Sequence, residues 1–276
     1  MTEPDRYGVI GQPVKHSWSP FIHALFARET GQNLVYHAHE VSVEELPEFL
    51  PRFFAGGGKG LNVTLPHKPA AARWAAALTP RAALAGAVNT LAAQPGGTVL
   101  GDNTDGAGFV RDLRRHHGVA LAGQRILVLG AGGAARGLLG PLLECAPAEI
   151  VLANRGAARA HEVAAVFGRL GPVRGCAFGE LPATPFDLVI NATAASLTGE
   201  VPAVTPAVIA PHTLCYDLAY GHRDTAFLSF ARAAGAGRAV QGWGMLVEQA
   251  AEAFTLWRGV RPDGAAALAA LRERAG

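Results

Sequence analysis

The segment RILVLGAGGAARG, Arg125 to Gly137, runs an apolar strand into a glycine-rich turn and then into a helix. Gly130, Gly132 and Ala135 stand in a GxGxxA spacing. In such a turn the first glycine permits the tight bend and the second lets the backbone approach a pyrophosphate. The helix N-terminus then offers free N–H groups and a favourable dipole. The pattern needs a strand before it and a helix after it, so it commits its surroundings to α/β layering. A glycine turn that only packs a helix on a strand is the competing reading, and the next strand argues against it. EIVLANRGAAR ends where a dinucleotide fold usually presents an acidic side chain to the ribose hydroxyls, yet it carries Asn154 and Arg155, with Arg159 one turn further on. A carboxylate would repel a 2′-phosphate, whereas a guanidinium forms charge-assisted bonds to it, each worth roughly 1.5–3 kcal/mol. A tenfold change in affinity takes about 1.4 kcal/mol, so one such bond can set cofactor choice. The reading is NADP over NAD, with Arg155 a stronger candidate than Arg159.

From Arg125 onward RILVLG, EIVLANR, FDLVINAT and TLCYDLAY alternate with helical stretches, which predicts one βαβ series. The first hundred residues form another. Tyr7 to Ile10 reads as a strand, Ser19-Pro20 as a cap and opening of a helix carrying Ile22, Leu25 and Phe26, and Leu34 to Val41 as a strand. Val43 to Phe54 reads as a helix, Gly60 to Thr64 as a strand, and Pro66 as the start of the next helix. Val88 to Ala93 and Thr98 to Leu100 form a hairpin across Gln94 to Gly97, and Asp105 to His117 is a helix leading away. Near the end Trp243, Leu246, Val247, Ala250, Phe254 and Trp257 fall at helical spacing. That stripe needs a surface to cover and the first unit is short of one, so the chain is expected to return to it. The expected division is 1–106 with 243–276 against 107–242.

With 276 residues, half of them hydrophobic, the chain has enough apolar surface for two such cores. Lys plus Arg (24) nearly balances Asp plus Glu (22), so the net charge of +2 gives no reason to expect a nucleic-acid or membrane partner. Cys145, Cys176 and Cys215 lack any CxxC spacing, which argues against zinc or a disulfide framework and suits a reducing cytosol. The start, MTEPDRYGVIGQP, lacks the basic-then-apolar order of a signal peptide, and no apolar run reaches membrane length. A soluble, cytoplasmic protein is expected, a monomer or a homodimer.

Four stretches set polar side chains at the ends of apolar elements: HSWSP, GKGLNVTLPHK, GAVNT and GDNTDGAGF. If the strands at Gly8–Ile10, Gly60–Thr64 and Val88–Leu91 are parallel neighbours, their carboxyl ends share one crevice, the usual ligand position in open α/β sheets. That crevice collects Ser17, Ser19, Asn62, Thr64, Lys68, Asn89 and Asp105. The set is dense in hydroxyls and amides, holds one cation and has no metal-ligand spacing. It suits a small polyhydroxylated carboxylate oriented by several hydrogen bonds. Singly, each residue has an ordinary reading as a cap, a turn former or a solvated charge. Hydride arriving at a ketone leaves negative charge on oxygen, and an ammonium such as that of Lys68 can supply both a fixed cation and a proton. His67 reads as structural or solvent-facing.

HSWSP, NVTLPHK, AGAVNTL, GDNTDGAGF, LGAGGAARG, NRGAAR, INAT and GMLVEQAAEAF occur in the order seen in the shikimate dehydrogenase family, which this sequence resembles over nearly its whole length. The resemblance implies an α/β fold of two domains: an N-terminal substrate domain with a mainly parallel sheet, to which the C-terminal helices return, and a Rossmann-type NADP domain. It implies NADPH-dependent reduction of 3-dehydroshikimate to shikimate in aromatic amino-acid biosynthesis. By motif, Lys68 and Asp105 resemble the catalytic pair, Ser17, Ser19 and Tyr220 the carboxylate contacts, and Asn62, Thr64, Asn89 and Gln249 the partners of the hydroxyls and neighbouring groups. Gly130, Ala131, Gly132, Gly133, Ala134, Asn154, Arg155, Arg159, Thr193, Leu218 and Gly242 resemble the cofactor contacts. The sequence departs from the family at Gly156, where a threonine is usual, after NAT in NATAASLTG, which lacks the usual serine-rich turn, and at Gln241, often aspartate. The alternatives are an NAD-linked quinate/shikimate dehydrogenase and a non-catalytic sensor of the dinucleotide or cyclic acid.

Overall fold

Two six-stranded sheets, each with its own helices, organise the structure, a computed structural model that describes residues 3–275. Met1, Thr2 and Gly276, at the ends of the expected first unit, lie outside the described residues. The chain divides into two compact units. One holds the residues up to Gly108 with Val247–Glu273, and the other holds Phe109–Leu246 with the residues from Arg274 on.

The first unit runs β1 (Asp5–Gly11), α1 (Ser19–Glu29), β2 (Leu34–Glu40), α2 (Leu46–Ala55), β3 (Gly58–Val63), α3 (Lys68–Trp74), β4 (Ala77–Leu78), α4 (Pro80–Ala85), β5 (Thr90–Ala93) and β6 (Val99–Asp102). α5 (Asp105–Arg115) then carries the chain into the second unit. The sheet order is β2-β1-β3-β5-β6-β4. β1 pairs parallel with β2 and β3, and β4 with β6, while β5 is antiparallel to both β3 and β6. The expectation of parallel neighbours at β3 and β5 is therefore corrected. The chain between them goes out and back, and Val88 N–H donates to the Lys68 carbonyl at 3.0 Å, so β5 starts at the sheet edge where β3 ended. Asn89 still reaches that edge, from the beginning of a strand instead of its end.

Three local expectations also shift. Ser19 is the first residue of α1, not its cap: Trp18 holds the cap position, and the Ser17 hydroxyl accepts the Ser19 N–H at 3.2 Å. α2 begins at Leu46 because Ser42 and Glu45 exchange side-chain bonds to each other's N–H, at 2.8 and 3.3 Å, and hold the residues between them in a turn. α3 begins at Lys68 and not at Pro66, since His67 N–H closes a turn on the Thr64 carbonyl at 3.0 Å and Pro69 takes the first-turn position.

The second unit runs β7 (Arg125–Leu129), α6 (Gly133–Leu143), β8 (Glu149–Asn154), α7 (Ala157–Phe167), β9 (Val173–Ala177), β10 (Leu188–Asn191), β11 (Leu214–Asp217), α8 (Ala226–Ala233) and β12 (Arg238–Gln241). Its order is β12-β11-β10-β7-β8-β9 and every pairing is parallel, the doubly wound arrangement with a switch point between β7 and β10. Leu127, Leu129, Val151, Val189, Phe227 and Leu228 belong to its core. Both faces of such a sheet are covered, which is why its strands read as continuous apolar runs.

α9 (Trp243–Arg258) and α10 (Gly264–Ala275) complete the chain. From Val247 on, α9 belongs to the first unit, where Phe254 meets Phe26 and His23, and Trp257 lies 4.8 Å from the ring of Tyr7. Gly60 makes room for this return: a Cβ there would sit 2.4 Å from the Trp257 indole nitrogen. On the other side of β3, Leu61 and Val63 join Ile10, Leu46, Leu50 and Leu91 in a separate core.

Candidate active site

β1, β3 and β6 end, and β5 begins, along one edge of the first sheet. That edge carries Ser17 and Ser19 after β1, Asn62 in β3 with Thr64 just beyond it, Lys68 at the head of α3, Asn89 just before β5, and Asp105 at the head of α5. Lys68 Nζ lies 2.5 Å from Asp105 Oδ2, with side chains 19% and 8% exposed, so the amine is held on its carboxylate and is not in bulk solvent. The other carboxylate oxygen, Oδ1, accepts from Asn89 Nδ2 at 2.8 Å, and Gln249 on α9 brings Oε1 to 3.2 Å from the same nitrogen. Asn62 joins through its Nδ2, 3.3 Å from the Asn89 carbonyl. Lys68, Asp105, Asn89, Gln249 and Asn62 are thus one hydrogen-bonded cluster.

Thr64 is fixed by its backbone, whose N–H donates to the Ile10 carbonyl at 2.9 Å. Its methyl fills the space a Cβ on Gly11 would need, which accounts for that glycine. Ser19 connects to the cluster through the buried Tyr36, whose hydroxyl bonds Asn62 Oδ1 at 2.8 Å; burial raises the Tyr36 phenol well above its ordinary range, and the Ser19 hydroxyl offsets only part of that. His67 is buried with Nε2 2.7 Å from the Val41 carbonyl, which makes it a structural anchor of the loop before Lys68.

Sequence reasoning assigned no role to several residues that hold this cluster. Thr104 N–H donates to Asn89 Oδ1 at 2.8 Å, and Asn103 Oδ1 accepts the Asp105 N–H at 3.2 Å. Asp102, 1% exposed, pairs with Arg81 and accepts from the Thr79 hydroxyl at 2.6 Å and the Asn103 N–H at 2.7 Å. Burial alone would raise the Asp102 carboxyl; Arg81, Thr79 and the Asn103 N–H together hold it below its usual range. Arg81 also meets Glu252 at 3.3 Å, and Glu252 pairs with Arg261, which ties the end of β6 to the helix that carries Gln249. Asn103 and Thr104 lie inside the GDNTDG motif and were within reach of motif reading. Tyr36, Arg81 and Glu252 carry no local signal.

The second unit holds the remaining candidates. Gly130 has φ +99°, a conformation that favours glycine, and Gly132 is the N-cap of α6 with no side chain capping it. A Cβ on Gly132 or Gly133 would meet nothing within 4 Å, so an open cradle lies against the uncapped N-terminus of α6, and the residues fit a pyrophosphate. Ala131 is buried behind this turn and Ala134 is exposed in the first turn of α6. Asn154 ends β8 and the exposed Arg155 follows it, and Asn154 Nδ2 donates to the Gly156 carbonyl at 3.1 Å. Arg159, the weaker candidate from sequence, donates from Nε to the Ala131 carbonyl at 3.1 Å and so braces the glycine turn directly.

Thr193 and Leu218 are set by a buried polar network. Asn191 Oδ1 accepts from the Thr193 hydroxyl at 2.7 Å, and the Asn191 carbonyl accepts the Leu218 N–H at 3.1 Å. Asp217, fully buried, accepts from the Ser196 and Thr225 hydroxyls at 2.6 Å each. Ser196 thus supplies a hydroxyl in the NATAASLTG turn. Gly242 packs so closely on Leu218 that a Cβ would sit 2.4 Å from its carbonyl oxygen. Gln241 bonds the Gly221 N–H at 2.7 Å and the Arg223 carbonyl at 3.0 Å, fixing the loop that carries Tyr220, whose ring lies 4.6 Å from that of Trp243. Tyr220 therefore belongs to the second unit.

The chain matches three family models: shikimate dehydrogenase substrate binding domain over residues 9–91, shikimate / quinate 5-dehydrogenase over 112–206, and shikimate 5′-dehydrogenase C-terminal domain over 242–272. It is 55% identical over 272 residues to a shikimate dehydrogenase (NADP(+)) of Aeromonas salmonicida, covering 99% of each chain. It is 53% identical over 269 residues to one of Hahella chejuensis, covering 98% of this chain and 99% of the other. The crystal structure of shikimate 5-dehydrogenase from Thermus thermophilus in complex with NADP(H) and shikimate superposes with a TM-score of 0.85 at 34% identity, covering 98% of this chain and 99% of that one.

Proposed function

The chain belongs to the shikimate dehydrogenase family and is an NADP-dependent oxidoreductase, and on that premise we propose that Lys68 and Asp105 are its acid–base pair for the interconversion of 3-dehydroshikimate and shikimate. The unit containing Lys68 is the substrate unit, and the unit containing the glycine turn holds NADP through the α6 N-terminus, Arg155 and Arg159. The observation that carries the reading is the 2.5 Å approach of Lys68 Nζ to Asp105 inside this hydrogen-bonded cluster.

Bound NADPH supplies the hydride. Lys68 keeps one N–H on Asp105, which leaves two of its three for a substrate ketone oxygen. The ammonium meets the negative charge that builds on that oxygen and then gives it a proton. Asp105 orients the amine, and in the reverse direction the same pair takes the hydroxyl proton. Asn62 is fixed by its neighbours, since both its N–H bonds are spent on Asn89 and Thr90 and its Oδ1 accepts from Tyr36, so any further bond to a substrate hydroxyl would use the remaining lone pair of that oxygen. Ser17, Ser19 and Tyr220 would hold the carboxylate, and Thr64, Asn89 and Gln249 the remaining polar groups. The three cysteines are buried and free, and on that support we place the enzyme in the cytoplasm; among the described residues no helix is long and apolar enough to cross a membrane.

Lys68→Ala tests the proposal, with turnover followed by the absorbance of reduced nicotinamide and shikimate binding measured separately. The expected loss in kcat is about a hundredfold or more with binding mostly retained. Unchanged kcat removes Lys68 from the mechanism.

A further inference from the structure

Two amides in the Lys68 cluster have orientations that backbone atoms dictate. The Asn89 carbonyl can only accept, so the Asn62 atom 3.3 Å from it is Nδ2, and Oδ1 is the atom facing Tyr36. The Thr104 N–H can only donate, so the Asn89 atom 2.8 Å from it is Oδ1, and Nδ2 is the atom facing Asp105. Thr90 stands between the two amides. Its hydroxyl receives Asn62 Nδ2 at 3.2 Å and has one proton, which goes to Asn89 Oδ1 at 2.9 Å.

The bonds therefore run one way. Tyr36 hydroxyl donates to Asn62, Asn62 to Thr90, Thr90 to Asn89, and Asn89 to Asp105 Oδ1, while Lys68 occupies Oδ2. We propose that Thr90 and Tyr36 are positioning residues for the acid–base pair, acting through this one-directional line of donors to pin Asp105 by both oxygens and so aim the Lys68 amine. Thr90 is 0% exposed and its hydroxyl has Asn62, Asn89 and, at a longer 3.4 Å, the Thr104 hydroxyl as partners, so it acts on the pair through these neighbours and not by touching a ligand. Burial keeps the Tyr36 phenol protonated, which preserves the donor at the start of the line. Donors polarised in one direction strengthen one another, and reacting groups misplaced by a fraction of an ångström lose rate.

The inference rests on the reading of Lys68 and Asp105 as the acid–base pair, and the experiment separates the two. Thr90→Val removes the link with little change of shape, Thr90→Ser keeps the hydroxyl, and Lys68→Ala is measured alongside. Thr90→Val is expected to lower kcat about tenfold or more with the KM for shikimate changed less than about threefold, and Thr90→Ser to restore kcat to within about threefold of the parent. If Lys68→Ala loses turnover while Thr90→Val keeps kcat, or if the loss lies only in KM or is equal in Thr90→Ser, the positioning role is overturned and the acid–base reading stands. If Lys68→Ala keeps turnover, both fall. Should Thr90→Val not fold, Tyr36→Phe decides: it removes only the first donor and keeps the ring on His23, and an unchanged kcat overturns the proposal.

Discussion

Acidification should weaken the first unit through one buried residue, His23 on α1. Its ring is 0% exposed, stacks on Tyr36 at 4.2 Å and 7°, and has Phe26, Phe254 and Trp257 around it. Burial lowers its pKa from 6.5 to about 3, and the nearby Asn62 side chain offsets only part of that. Between those two values the unfolded chain carries a proton on this residue that the folded chain does not. The stabilisation is complete above about pH 6.5 and is lost as pH falls towards about 3. At about 1.4 kcal/mol per pH unit the full range corresponds to about 5 kcal/mol, and the interval from pH 7 to pH 5 to about 2 kcal/mol. The perturbation is His23→Phe, which keeps a ring in the aromatic cluster and removes the titration. Urea unfolding at pH 7 and pH 5, followed by tryptophan fluorescence, reads mainly the first unit because three of the four tryptophans, Trp18, Trp74 and Trp257, belong to it, and Trp243 of the second unit is common to parent and variant. The parent should lose about 2 kcal/mol more than the variant between the two pH values, and groups common to both proteins cancel in that difference. Equal losses would refute the assignment of His23 as a neutral buried base.

Two further outcomes follow, one from the proposed cofactor contact of Arg155 and one from the Arg81–Asp102 pair. Arg155→Ser should raise the KM for NADP+ roughly tenfold and leave that for NAD+ unchanged in steady-state assays, because it removes the charge-assisted bond proposed between Arg155 and the 2′-phosphate; parallel changes for both cofactors would contradict that proposal. Arg81→Met should cost about 3 kcal/mol in urea unfolding at neutral pH, the low end for a broken buried pair since Arg81 is 30% exposed, by leaving Asp102 unpaired. Asp102 is held below its usual range, so the difference between parent and variant should shrink as pH falls through the carboxylate range.

Much of the architecture was legible because it is written locally. RILVL and EIVLAN are apolar over consecutive residues, and only a strand covered on both faces asks for that. Gly130 needs its left-handed conformation wherever the rest of the chain goes. The α9 stripe announced a helix in need of a surface, and Val247, Ala250 and Phe254 are fully buried. The first-unit site was legible as a set of residues but not as a geometry. Asn89 was expected at the end of a parallel strand and stands at the start of an antiparallel one, since strand direction depends on how the intervening chain turns back at Val88 and Lys68. Helix starts at Ser19, Leu46 and Lys68 moved for a related reason: hydrogen bonds to Ser17, Ser42 and Thr64 settle where each helix can begin.

The sequence alone determined the identity and order of most elements, the glycine turn with its basic neighbours, and the list of polar groups gathered in the first unit, because propensity and periodicity act between residues a few positions apart; the short β4 and α4 and the strands β9 and β12 were not read from it. Tertiary structure decided which way the Asn62 and Asn89 amides point, which oxygen of Asp105 Lys68 meets, and that Arg81 joins Asp102 to Glu252, which lies 171 positions beyond Arg81 in the chain. A hydrogen bond or ion pair takes its direction and strength from where its partner sits in space, and for these groups the partner is far away along the chain.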